Sequence, residues 1–213
     1  MSAERLLILA CVFLLAACDS CSGKSSEQRL SEISTLYTSG AVEEAVTRLR
    51  AHLQDEPRDE LAWTILGHAL LDQNKLDEAE TAYAKALELN PRRIEAITGQ
   101  GRLYRLREQY DKAMATYQQA LAIDPSYAQT YSSMTVVALK LGLLDEAIAL
   151  GEQGYALNKN DPVIAANLAI AYHYAGNTQK RDELTQAAQQ LGYKGMERLR
   201  KIYSGELELK QSE

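Results

Sequence analysis

The chain has 213 residues, 46% hydrophobic and 24% charged, an ordinary balance for a folded protein with one core or a short array. A formal charge of −6, with acids and bases interspersed and no charged tail, argues against nucleic acid as a partner. The three cysteines, Cys11, Cys18 and Cys21, all fall near the start, which excludes a disulfide framework or a thiolate metal site further on.

In chain order, the first element is an apolar run from Leu6 to Ala17, preceded by Arg5. About 12 residues are too few for a bilayer span, which takes roughly 20, but they suit the core of a signal peptide. The run closes on Leu15-Ala16-Ala17-Cys18. This resembles the lipobox of bacterial lipoproteins, in which the peptidase cuts before the cysteine and the thiol carries diacylglycerol. The resemblance implies a signal peptide over 1–17, cleavage between Ala17 and Cys18, and a covalent lipid on Cys18 as membrane anchor. An ordinary secretory signal or a buried apolar helix is the alternative. Asp19 resembles the residue that retains proteobacterial lipoproteins in the inner membrane, which implies a domain on its periplasmic face. Cys21, in the linker 18–25, either pairs between chains or is a plain linker residue.

From residue 26 a pattern returns every 34 residues. Trp63, Gly67, Ala79, Tyr83, Ala86 and Pro91 come back as Ile97, Gly101, Ala113, Tyr117, Ala120 and Pro125. The frame gives units 26–59, 60–93, 94–127, 128–161 and 162–195, each predicted to be two antiparallel helices joined by a tight turn. Small residues mark close approach of helix axes: Gly67, Gly101, Thr135 and Ala169 on first helices, Ala45, Ala79, Ala113 and Ala147 on second helices. Larger ones fill the gaps, among them Leu70, Leu49, Tyr83 and Tyr117. Gly40, Asn74, Gly142 and Gly176 fall where a left-handed residue ends a helix. Pro57, Pro91 and Pro125 close three units. Gly151 and Gly154 interrupt the fourth unit's second helix. Either Tyr172 fills the space they leave or they mark a weak point in the array. Met196, Leu199, Ile202 and Tyr203 recur at helical spacing, which predicts a capping helix in 196–213 with a frayed tail.

The period and residues resemble the tetratricopeptide repeat. That resemblance implies an all-α fold: a right-handed superhelical solenoid of about five helical hairpins plus the C-terminal capping helix. It also implies that first helices line a concave face that holds a protein or peptide partner. The positions carried over include His68, Arg102, Arg105, Val136, Leu139, Ile170 and Tyr174, a groove with a basic middle and an apolar far end. Arg102 and Arg105 share a helix face and either grip a partner carboxylate or pair with neighbouring acids. Val136, Leu139, Ile170 and Tyr174 form an apolar strip if that face is open. Self-association is left open. The asparagine–lysine clamp of some cytosolic members is absent, since Ser34, His68 and Arg102 stand in its places.

Nothing in the chain points to catalysis. His52, His68 and His173 fall in three different units without metal-ligand spacing, and no phosphate loop, nucleophile elbow or zinc helix occurs. No cofactor is expected beyond the lipid on Cys18. The reading is a non-enzymatic, lipid-anchored adaptor or scaffold for a bacterial cell-envelope complex. The alternatives are a periplasmic holdase and a regulatory subunit of a cell-wall or export enzyme.

Overall fold

The computed structural model describes residues 25–208; the predicted signal peptide, Cys18, Asp19, Cys21 and the last five residues lie outside them. Among the described residues the fold is all-α. First helices are α1 (Ser26–Thr38), α3 (Glu60–Asp72), α5 (Ile94–Leu106), α7 (Ala128–Lys140) and α9 (Pro162–Tyr174). Second helices are α2 (Val42–Asp55), α4 (Leu76–Leu89), α6 (Tyr110–Ile123), α8 (Leu144–Leu157) and α10 (Thr178–Gln190), and α11 (Met196–Tyr203) follows. Both sets start at a constant interval of 34 residues, so no insertion disturbs the frame.

The turns explain why each hairpin closes where it does. Gly40, Asn74, Gly142 and Gly176 adopt positive φ, as does Glu108 in the third hairpin. The next residue then donates its N–H to a carbonyl five positions back, for example Lys75 to Leu70 and Leu143 to Ala138, both at 2.9 Å. These bonds satisfy orphan carbonyls at the end of each first helix. Between hairpins, Asn90, Asp124 and Asn158 each accept from the backbone N–H two residues on, which bends the chain out of the second helix. Trp63 Nε1 and the Tyr131 hydroxyl reach back to the carbonyls of Pro57 and Pro125 and fix the entry to α3 and α7.

The chain packs as two compact units that divide between Ala82 and Tyr83, inside α4. In the first unit, Leu49, Leu70 and Leu66 are buried between helices whose contact points are Ala45, Ala62 and Ala79. Each such large side chain contributes about 1.5–3 kcal/mol on burial. His52 is buried here, its Nε2 2.9 Å from Asp59, which also caps α3 by accepting the Ala62 N–H. Tyr37 donates to Asp72 at 2.7 Å and ties α1 to α3.

In the second unit, α5 is gripped by two tyrosines. Tyr83 lies against Gly99 and Tyr117 against Gly101, so close that any Cβ at either glycine meets a ring. Farther on, α8, α9, α10 and α11 share one apolar cluster that includes Leu168, Tyr172, Leu184, Leu199 and Ile202. The space opened by the α8 glycines is filled by Leu168 at Gly151 and by Tyr131 and Ile164 at Gly154, not by Tyr172. Tyr172 instead donates its hydroxyl to Glu152, with Lys180 3.2 Å from the same carboxylate. Those two bonds, Tyr172's first, hold the Glu152 carboxyl below its usual range.

Candidate functional site

The first helices of the second unit, α5, α7 and α9, lie side by side, and α11 packs against α9. Their common face holds a cavity of about 270 Å³. The floor is apolar, made by Val136 and Leu139 from α7 and by Ile164 and Ile170 from α9. Tyr193, in the connection to α11, walls one side and packs on the same apolar cluster. The rim is polar. Arg105 comes from α5, Ser133 from α7 and Arg198 from α11, while Asn167 of α9 donates to Ser132 Oγ at 2.9 Å.

One carboxylate, Asp161, stands among the lining residues, and it is already engaged. It caps α9, accepting the N–H groups of Val163 at 2.8 Å and Ile164 at 3.2 Å, with Pro162 at the first helical position. Behind Arg105 lies the Tyr117 hydroxyl, buried and without a hydrogen-bond partner. Burial pushes its pKa up, against the pull of the Arg105 charge and of the neighbouring Ser133 hydroxyl.

The structure brings four of the residues named from the sequence into this one cavity: Arg105, Val136, Leu139 and Ile170. The other three fall elsewhere. His68 sits half-buried on α3 in the first unit. Arg102 is half-buried on α5 outside the lining. Tyr174 ends α9, 38% exposed, with its ring edge-on to His173 at 5.2 Å. The expected apolar strip is not an open surface: Leu139 and Ile170 are only 7% and 5% exposed. Close packing of α7 on α9, with Tyr193 beside them, turns the strip into a floor.

Two lining residues, Tyr193 and Arg198, escaped the sequence reading because they lie beyond, or at the very end of, the repeat frame. Asn167 had a visible signal, a polar residue in an otherwise apolar first helix. The histidines have separate environments: His52 on Asp59, His68 on α3, and His173 with its ring 4.9 Å from that of Tyr203. Among the described residues no three His, Cys, Asp or Glu side chains are grouped to hold a metal.

Two lateral notches occupy equivalent places three repeats apart. The first unit has one of about 430 Å³ around Trp63 and Leu66, crossed by an Arg50–Glu78 ion pair. The second unit has one of about 340 Å³ around Leu168 and Tyr172, crossed by Glu152–Lys180 with the charges exchanged.

A repetitive helical-hairpin fold with a polar-rimmed, apolar-floored cavity on its first-helix face defines a protein-binding repeat module. Residues 24–164 match the TPR domain of cytochrome c-type biogenesis protein H, and the chain belongs to that family. No curated protein sequence matches the chain. Its fold is similar to that of a thermophilic TPR protein from Thermus thermophilus, with 22% identity, a TM-score of 0.74, and 85% of this chain and 98% of that one covered. It is also similar to PilF of Pseudomonas aeruginosa, at 18% identity, TM-score 0.69 and 85% of each chain covered. PilW, a type IV pilus biogenesis factor, matches at 20% identity, TM-score 0.69, with 87% of this chain and 93% of that one covered.

Proposed function

We propose that this protein is a non-enzymatic adaptor, held to a bacterial membrane by a lipid on Cys18, that recruits a partner into a cell-envelope assembly. The observation that carries the reading is the cavity shared by α5, α7, α9 and α11, where Arg105 and Arg198 flank a floor of Val136, Leu139 and Ile170. A partner side chain is held there by burial and oriented by the rim. The family's name refers to cytochrome c-type biogenesis and that of PilW to type IV pilus biogenesis. A role in building another protein assembly fits both. The closed state of Leu139 and Ile170 weighs against the holdase alternative, which needs broad open apolar surface to grip unfolded chains. Among the described residues no helix is long and apolar enough to cross a membrane.

The test is to solubilise the full-length lipoprotein from membranes in detergent and quantify what co-purifies. One stoichiometric partner, lost when Arg105 is changed to Glu, supports the adaptor. A broad set of substoichiometric chains, indifferent to that change, overturns it in favour of the holdase. In parallel, Cys18→Ala is expected to release the protein from membranes; retention after a salt wash rejects the lipid anchor.

A further inference from the structure

We infer that this cavity recognises a partner segment through one carboxylate set beside one apolar side chain, the acid being held between the guanidinium groups of Arg105 and Arg198. The inference rests on the adaptor reading and specifies its chemistry. It also gives α11 a second role, since this helix not only covers the last hairpin but supplies one arm of the recognition site.

Charge complementarity is the first argument. The chain carries a net −6, and many of its cations are engaged by its own acids: Arg48 with Glu44, Arg50 with Glu78, Lys85 with Glu88, Lys180 with Glu152, Lys201 with Glu197. Arg105 and Arg198 line the same cavity, and neither forms an ion pair with a described residue. The one carboxylate in the lining, Asp161, has Oδ1 engaged in capping α9 and offsets only one of the two positive charges. The rim therefore keeps a net positive charge, and guanidinium groups suit a planar carboxylate with paired donors.

The second argument is the floor, where Val136, Leu139 and Ile170 offer apolar contact directly between the two arginines' helices and so fix the spacing of the ligand's acid and apolar groups. The occupant is therefore a protein segment with an Asp or Glu within a few residues of a branched or aromatic side chain.

The experiment uses the full-length chain in detergent and a synthetic bead library of random peptides with amidated C-termini. Enriched peptides are then measured by fluorescence anisotropy against the parent and the variants Arg105→Gln, Arg198→Gln and Arg200→Gln. Arg200 shares α11 with Arg198 but is outside the lining and serves as control. Far-UV circular dichroism and melting confirm that each variant is folded. Enrichment of an acid near an apolar residue is expected, with affinity weakened about tenfold or more by Arg105→Gln, by Arg198→Gln, or by exchanging the peptide's acid for its amide. Arg200→Gln is expected to change nothing. Enriched peptides that lack an acid, or binding that survives both cavity variants, overturn the inference. Binding lost instead with His68→Ala leaves the adaptor reading standing and removes this one. A dimer of the chain alone that dissociates on Arg198→Gln makes a second copy the occupant and also overturns it. No enriched peptide and no co-purifying partner remove both.

Discussion

Gly101→Ala is a sharp test of the packing argument. A Cβ at position 101 sits 2.5 Å from Tyr117 Cε1, 2.8 Å from Cδ1 and 2.9 Å from Cζ. Unstrained carbon contacts lie near ~3.5–4.0 Å, so about 1 Å must be found against three ring atoms at once. The ring is fully buried and has no free side to move into. Overpacking of this kind costs about 1–3 kcal/mol, and the triple contact puts it near the upper end. Alanine returns about 1 kcal/mol of helix propensity. The net expectation is a loss of about 2 kcal/mol, or a melting temperature lower by about 4–8 °C in a chain of this size. Urea and thermal melts followed by far-UV circular dichroism read it directly. Gly151→Ala is the companion: its Cβ meets the terminal methyl of Leu168 at 2.7 Å, on a side chain that borders the notch of about 340 Å³ and can shift toward it. That variant is expected within about 1 kcal/mol of the parent, on the stabilised side. A Gly101→Ala protein as stable as the parent, or a Gly151→Ala protein as damaged as Gly101→Ala is predicted to be, refutes the reasoning.

Glu108 holds φ 59°, a conformation that costs a non-glycine residue about 1 kcal/mol, so Glu108→Gly is expected to raise the unfolding free energy read from urea melts by up to about that amount. Asp59→Ala removes both the cap on Ala62 and the partner of buried His52, for an expected loss of about 2 kcal/mol in the same melt. His173 has its pKa held below the usual 6.5, first by burial and then by the Arg181 charge, against a raising bond to the Ile202 carbonyl. The unfolded chain therefore takes up the proton more readily. This contribution to stability is whole above about pH 6.5 and is lost as pH falls through the lower folded value. Melts across this range are expected to show a shallower acid decline in His173→Asn than in the parent.

Most of the fold was legible because the packing positions repeat. Ala45, Ala79, Ala113 and Ala147 occupy one position, and all are fully buried. Gly40, Asn74, Gly142 and Gly176 all turned out left-handed, but Glu108 did not announce itself, because the rest of the third hairpin forces the turn on a poorly suited residue. The α8 glycines showed a gap without showing what fills it, since Leu168 and Tyr172 are both large and share a helix face, differing in height by one turn. Part of the candidate site was legible too: Arg105, Val136, Leu139 and Ile170 follow from the family's groove positions carried onto the hairpin frame. Tyr193 and Arg198 have no counterpart in other units from which a place could be inferred.

The same periodicity separates recognition from packing. At the position of Arg105 the five hairpins carry Tyr37, Leu71, Arg105, Leu139 and His173; at that of Arg102 they carry Ser34, His68, Arg102, Val136 and Ile170. A position that accepts a phenol, an isobutyl group, a guanidinium and an imidazole in one architecture is not fixed by hairpin geometry. Its identity is free to serve something outside the hairpin. The cavity draws Arg105, Val136, Leu139 and Ile170 from these two positions and completes itself with residues at the end of the array. Variable first-helix positions on a repetitive frame are how an otherwise generic repeat fold presents a surface of its own.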